Sequence, residues 1–221
     1  MADIFDEVEE DLRAERARQF ARRYAGVGVA ALLLVLGAIA GWQGWQAWQA
    51  RRDRAVAAVY LDAMRQAESA GGAARTPTYE GAISGFAKVA AEAPPGYRAL
   101  ARLQEAALRA GAGDAAGAAA LWNAVAADDA VDPLLRDAAT LLWAEHQVDA
   151  GDAAAVRARL APLTGPANPW HGLAQETGAL LDLREGHDAE ARQALQGLAR
   201  DITAPQGVRS RADGLLARLG G

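Results

Sequence analysis

Between Tyr24 and Ala50 the chain runs for 27 positions without a charged residue, and the centre of that run reads GVGVAALLLVLGAIAG. An α-helix rises about 1.5 Å per residue, so roughly 20 apolar residues cross the ~30 Å hydrocarbon core of a bilayer. The run is long enough to span. It divides the 221-residue chain into a charged tail (1–23), an anchor (24–50) and a domain over 51–221 with length enough for a core of its own. Arg13, Arg16, Arg18, Arg22 and Arg23 precede the run, and Arg51, Arg52 and Arg54 follow it. That bias of five to three places the N-terminus in the cytoplasm by the positive-inside rule. Phe20 and Tyr24 then fall at the inner interface, and Trp42, Trp45 and Trp48 at the outer one. Tyr24 and Trp45 stand about 31 Å apart along a helix, close to one hydrocarbon thickness.

Two readings of the run compete. Ala38-Ile39-Ala40 resembles a signal-peptidase site, which would release a soluble protein. The preceding region is long and acidic for a signal, and the helical pattern continues past Trp48 towards Ala70 without a proline, so a retained anchor is the expectation. Gly37 and Gly41 form G-x-x-x-G, a spacing that lets membrane helices approach closely. In the tail, Ile4, Val8 and Leu12 make a thin apolar stripe, read either as a docking helix or as a solvated one.

Charge narrows the partners. Residues 1–54 carry eight Arg and eight Asp/Glu, and the remainder carries 15 Lys/Arg against 20 Asp/Glu. A mildly acidic domain argues against nucleic acid or anionic lipid as its main partner. There is no Cys, which removes disulfides, thiolate nucleophiles and Cys-ligated metals. His146, His171 and His187 have no second ligand at an H-x-x-x-H or H-E-x-x-H spacing. No G-x-S-x-G elbow, P-loop or dinucleotide fingerprint occurs. The expectation is a protein that is not an enzyme, with no cofactor, no metal and no small-molecule substrate.

After residue 51 the dominant signal is self-similarity. GDAAGA begins at Gly113, GDAAAV at Gly151 and GHDAEA at Gly186, with starts 38 and 35 residues apart. Glycine tolerates φ > 0 and so ends a helix cheaply, and the polar residues after it can cap the next. Proline marks the other junction, with Pro95 to Pro133 spanning 38 residues and Pro133 to Pro169 and Pro169 to Pro205 spanning 36 each. A proline there stops one helix or opens the next. The unit is helix, Gly turn, helix, Pro turn. The expected helices are 51–70, 78–92, 96–110, 114–128, 134–149, 152–162, 169–185, 188–201 and 206–219. Ala118, Ala119, Ala191 and Ala194 leave room for close packing. The fold class is all-α: one N-terminal transmembrane helix followed by a solenoid of helical hairpins.

A hairpin of this period, with Gly-Asp-x-x-x-Ala before its second helix and Pro at its end, resembles a tetratricopeptide repeat (TPR). The tail DIFDEVEEDLRAERARQFARRY, the anchor with its tryptophans, and the phrases GFAKVAAEAPPGYRALARLQEAALRAG and NPWHGLAQETGALLDLREGHDAEARQALQGLARD narrow this further. Together they resemble the YfgM-like family, an ancillary subunit of the bacterial SecYEG translocon with a TPR-like periplasmic domain. The resemblance covers essentially the whole chain, although no W-x-x-L-G-x-x-Y occurs in order. It implies a single-pass inner-membrane protein with its domain in the periplasm. Its implied partners are the translocon and a membrane-anchored periplasmic chaperone of the prolyl-isomerase type, with secreted proteins handed on to folding factors. A cell-envelope assembly scaffold without translocon contact is the alternative.

In such a superhelix the first helix of each hairpin lines the concave, partner-binding face. Its polar residues are the candidate contacts: Arg98, Arg102, Gln104, Glu105, Arg136, Asp137, Glu145, Gln175, Glu176 and Arg184. Trp122, Trp143 and Trp170 either fill space between helices or anchor a partner. Trp170, after Asn168-Pro169, is the one most suited to the second role.

Overall fold

The computed structural model describes the backbone of residues 3–71 and 76–220, and the side chains of Gly26, Ala30 and everything from Leu32 within those bounds. It separates into two units, the first running to Arg54 and the second comprising Ala55–Gly221. Helix α1 (Asp3–Ser69) supplies the whole helical content of the first unit and, from Ala55, the opening helix of the second.

In the first unit the five consecutive residues Leu32, Leu33, Leu34, Val35 and Leu36 are each between 52% and 76% exposed. Successive residues turn by about 100°, so five in a row leave no polar face on that stretch of helix. Ile39, Trp42, Trp45 and Trp48 are also exposed. Trp45 and Trp48 lie 5.4 Å apart, and the Arg52 guanidinium sits 4.8 Å over the Trp48 ring. Gly37 and Gly41 have open space where a Cβ would be. Among the residues whose side chains are described, no helix is long and apolar enough to cross a membrane, and the run Tyr24–Ala50 falls partly outside them. The tail stripe, Phe20 and Tyr24 lie outside them as well.

The second unit is a series of hairpins. The C-terminal part of α1 pairs with α2 (Pro77–Glu92), α3 (Pro95–Gly111) with α4 (Ala115–Ala126), α5 (Pro133–Gln147) with α6 (Ala153–Leu160), and α7 (His171–Arg184) with α8 (Asp188–Arg200). Helix α9 (Gln206–Arg218) closes the series. The start signals are local and follow from the residues. Pro77, Pro95 and Pro133 open their helices, where the missing N–H costs nothing. Asp114 accepts a hydrogen bond from Gly117 N at 2.9 Å, Asp132 from Leu134 N at 2.8 Å, and Asp152 from Ala154 N at 3.0 Å.

The three Gly turns divide. Gly113 and Gly186 take φ of +84° and +78°. At the first, Asp114 N donates to Arg109 O and Gly113 N to Ala110 O; at the second, His187 N donates to Asp182 O and Gly186 N to Leu183 O. Both are left-handed helix closures that only glycine makes cheaply. Gly151 departs from the expected pattern: its φ is not positive, and a Cβ there would meet Gln147 O at 2.7 Å. Its smallness serves close approach instead. His187 likewise makes no side-chain cap on α8, unlike Asp114 and Asp152.

Each hairpin shares a small core with the next. Ala63, Ala82, Phe86 and Val89 hold α1 to α2; Ala99, Ala106, Trp122 and Val125 hold α3 to α4; Leu141, Val156, Leu160 and Leu181 hold α5 through α7; Leu195, Leu198 and Val208 hold α8 to α9. Trp143 packs on two of these clusters, and so does Leu173. Among the described residues fourteen buried alanines line the contacts, and each removes little apolar area by itself. What they permit is closeness, which lets the few large side chains touch several helices at once. Stability in such an array is carried from neighbour to neighbour, with no single dominant core.

Candidate partner-binding groove

Helices α5, α7 and α9 are successive first helices, and α7 contacts both of the others. Where they face one another they leave an open groove of about 410 Å³, lined by Glu145, Val148 and Asp149 of α5 and its end, Glu176, Thr177 and Leu180 of α7, and Arg211 of α9. Val148 and Thr177 are buried and form its floor with Leu180. Glu176 is only 6% exposed, and Arg211 donates to both its carboxylate oxygens at 2.6 Å. A bidentate guanidinium is the geometry best suited to holding a buried carboxylate.

Glu145 has no such partner. Counted over the whole residue it is exposed, but its carboxyl is desolvated among the groove walls, and that burial holds its pKa above the ordinary glutamate value. His146 acts against the rise, Glu176 adds to it by repulsion, and Arg211 opposes it. Three carboxylates face one guanidinium around this groove, so its lining carries a formal surplus of two negative charges.

Apart from Gln104, which is half-buried, the other expected contact residues are committed within the chain. Arg98 donates to Ala93 O at 3.2 Å, and Arg102 pairs with Asp128 at 3.6 Å. Glu105 is buried and pairs with Arg109 at 2.8 Å; an exposed contact role does not fit it. Arg136 pairs with Asp129 at 2.8 Å, and Asp137 accepts from Asn168 at 2.9 Å. Gln175 donates to Thr164 O at 3.0 Å, and Arg184 to Val148 O at 2.7 Å and Gly151 O at 2.9 Å. Of these, Asp137, Gln175 and Arg184 join one repeat to the next, while Glu105 pairs within α3 and Arg102 within its own hairpin. Trp122 is buried and packs against the His146 ring at a 42° tilt, with centroids 4.4 Å apart. Trp143 is covered by the Arg159 guanidinium at 3.7 Å. Trp170 is half-buried against the core of α5 to α7, with Nε1 donating to Leu134 O at 3.1 Å, so it spans the repeat junction its position suggested. Arg211, which completes the groove, was not among the expected residues. It lies 35 positions from Glu176, and no local pattern links them.

One cluster has metal-ligand chemistry that the search for His spacings missed. Single ligand atoms of Asp182, Glu185 and His187 lie within 4.8 Å of one another. Arg157 already supplies a cation there, donating to Asp182 at 2.6 Å and pairing with Glu185 at 2.5 Å. His171, buried at the start of α7, is engaged by Asn168 O at 2.8 Å, Asp201 at 3.3 Å and Thr203 at 3.2 Å, which ties α7 to the turn before α9.

Hairpins stacked in series, with an open groove across their first helices and acidic groups on its rim, define a helical repeat scaffold that binds other proteins. The chain belongs to the tetratricopeptide repeat-like domain family, whose model matches residues 18–213. That match takes in the uncharged run as well as the hairpins. No curated protein and no solved structure matches the chain. Membership implies protein partners in general and a scaffold role.

Proposed function

We propose that this protein is a membrane-anchored TPR-like adaptor, single-pass in a bacterial inner membrane, with its tail in the cytoplasm and its repeat domain in the periplasm beside the SecYEG translocon. The observation that carries the anchor is the helix stretch Leu32–Leu36, apolar and exposed on every side. Water is a poor solvent for such a surface, and a bilayer is a good one, since a helix satisfies its own backbone groups there. Trp45, Trp48 and Arg52, packed together just beyond it, suit the headgroup layer. The translocon address rests on the resemblance of tail, anchor and repeats to the YfgM-like family.

The mechanism is local concentration. The anchor holds the repeats at the exit site, and this raises the effective concentration of translocon and chaperone partners around the groove without any new contact. Emerging secreted proteins are then handed to folding factors held nearby. The test is co-purification from detergent extract with and without residues 1–50. Translocon subunits are expected with the full chain and lost with the deletion. Equal recovery from both would sink the reading. Recovery of envelope-assembly proteins with no translocon subunit would favour the scaffold alternative.

A further inference from the structure

We propose that the groove between α5, α7 and α9 takes an Arg or Lys side chain from an apolar-flanked segment of a protein partner, with Glu145 and Asp149 as its counter-ions. The proposal rests on the adaptor reading and specifies what its partner face recognises.

Several carboxylates, within helices and at their junctions, are answered by the chain's own cations. Arg109 answers Glu105 and Asp114, Arg157 answers Asp182 and Glu185, Arg102 and Arg136 answer Asp128 and Asp129, and Arg211 answers Glu176. Glu145 and Asp149 line the groove and form no ion pair among the described residues. Of the two cations beside them, Arg211 is spent on the buried Glu176 with both its hydrogen bonds, and Arg184 on the backbone carbonyls of Val148 and Gly151.

The floor completes the fit. Val148 and Leu180 are apolar, and an Arg or Lys side chain has an apolar stem and a charged head. Laid across the floor, the stem covers Val148 and Leu180, and the head reaches the rim carboxylates. The desolvation that disfavours a lone charge on Glu145 is offset once a cation is beside it, because their attraction is worth more at lower effective dielectric. An acidic or neutral segment would leave the rim uncompensated, so the groove selects by charge as well as shape.

The experiment uses the full chain in nanodiscs of phosphatidylcholine, a lipid with no net charge to compete for a basic peptide. Three blocked, fluorescent dodecapeptides share the same apolar residues and differ only at two central positions: arginine, citrulline (the neutral isostere of arginine) or glutamate. Anisotropy is expected to show the arginine peptide binding about fivefold to tenfold tighter than the citrulline peptide, the scale of two partly exposed charge-assisted contacts. In the double variant Glu145→Gln, Asp149→Asn that preference is lost. A photoreactive residue at position 180 captures the arginine peptide. Equal affinity for arginine and citrulline peptides overturns the proposal, and so does an arginine preference that survives the double variant. So does an equal loss on neutralising Glu80 and Glu92, which would mark diffuse net-charge attraction, or a change of oligomeric state in the double variant, which would mark a second copy as the occupant. If none of the peptides binds while co-purification with partners persists, the charge reading fails and the adaptor reading stands.

Discussion

Arg211 on α9 grips Glu176 on α7 through two hydrogen bonds of 2.6 Å, and the Glu176 side chain is almost wholly buried while Arg211 is more than half exposed. The pair is the polar fastening between the last full hairpin and the closing helix. Removing the cation leaves a buried carboxylate without a partner, and that penalty exceeds the worth of the contact itself. Arg211→Ala is expected to lower unfolding stability by about 2 kcal/mol, read by denaturant titration of the full chain. Arg211→Lys recovers part of it, because an ammonium cannot match both oxygens at once. Pairing Arg211→Met with Glu176→Leu is expected to recover most of it. No loss in Arg211→Ala would mean that water satisfies Glu176.

Glu145 carries the opposite sign. Its folded pKa lies above the unfolded value, with burial as the first cause. Such a group adds stability below its unfolded pKa and loses it as pH rises through the folded value. At neutral pH the charged Glu145 therefore weighs against folding. Glu145→Gln is expected to raise the midpoint of thermal unfolding at pH 7 and to leave it unchanged well below the unfolded glutamate pKa. Circular dichroism melts at the two pH values check this, and a lower midpoint at pH 7 would contradict it. Binding sites commonly give up stability in this way.

Trp122 is the largest fully buried side chain, and it joins α3, α4 and α5. Trp122→Ala is expected to cost about 3–5 kcal/mol, the range for deleting a large buried aromatic. Its indole Nε1 has no hydrogen-bond partner among the described residues, so Trp122→Phe gives up volume without giving up a bond there. The phenylalanine variant is therefore expected to retain most of the stability. Equal losses in the two variants, measured by denaturant unfolding, would mean that the indole N–H matters after all.

The hairpins were legible because their punctuation is local. Pro95, Pro133, Gly113 and Gly186 act on the turn they sit in, and the helix ends fall within a few residues of where those signals put them. Gly151 shows the limit. Gly113-Asp114 and Gly151-Asp152 read alike, yet only the first takes the left-handed conformation, because the approach of Gln147 decides the second. The groove was half legible. Glu145 and Glu176 follow from their place on first helices, but that one is paired and the other not depends on Arg211, brought in by the stacking of repeats. Asp149, Val148 and Leu180 carry no mark of their own in the sequence. Their role comes from the space that α5, α7 and α9 leave between them.

The central claim is that one helix fixes the repeats on the far side of a membrane from the tail. The chain has no cysteine, so single cysteines can report on each side without background. Ala17→Cys places one in the tail and Ser210→Cys places one on the exposed face of α9. Both are expressed in bacterial cells, converted to spheroplasts and treated with a membrane-impermeant maleimide. The account expects Ser210→Cys to label in intact spheroplasts and Ala17→Cys to label only after lysis, with both forms remaining in the membrane pellet after carbonate washing. Labelling of the tail in intact spheroplasts, or release of the repeat domain into the wash, would contradict it.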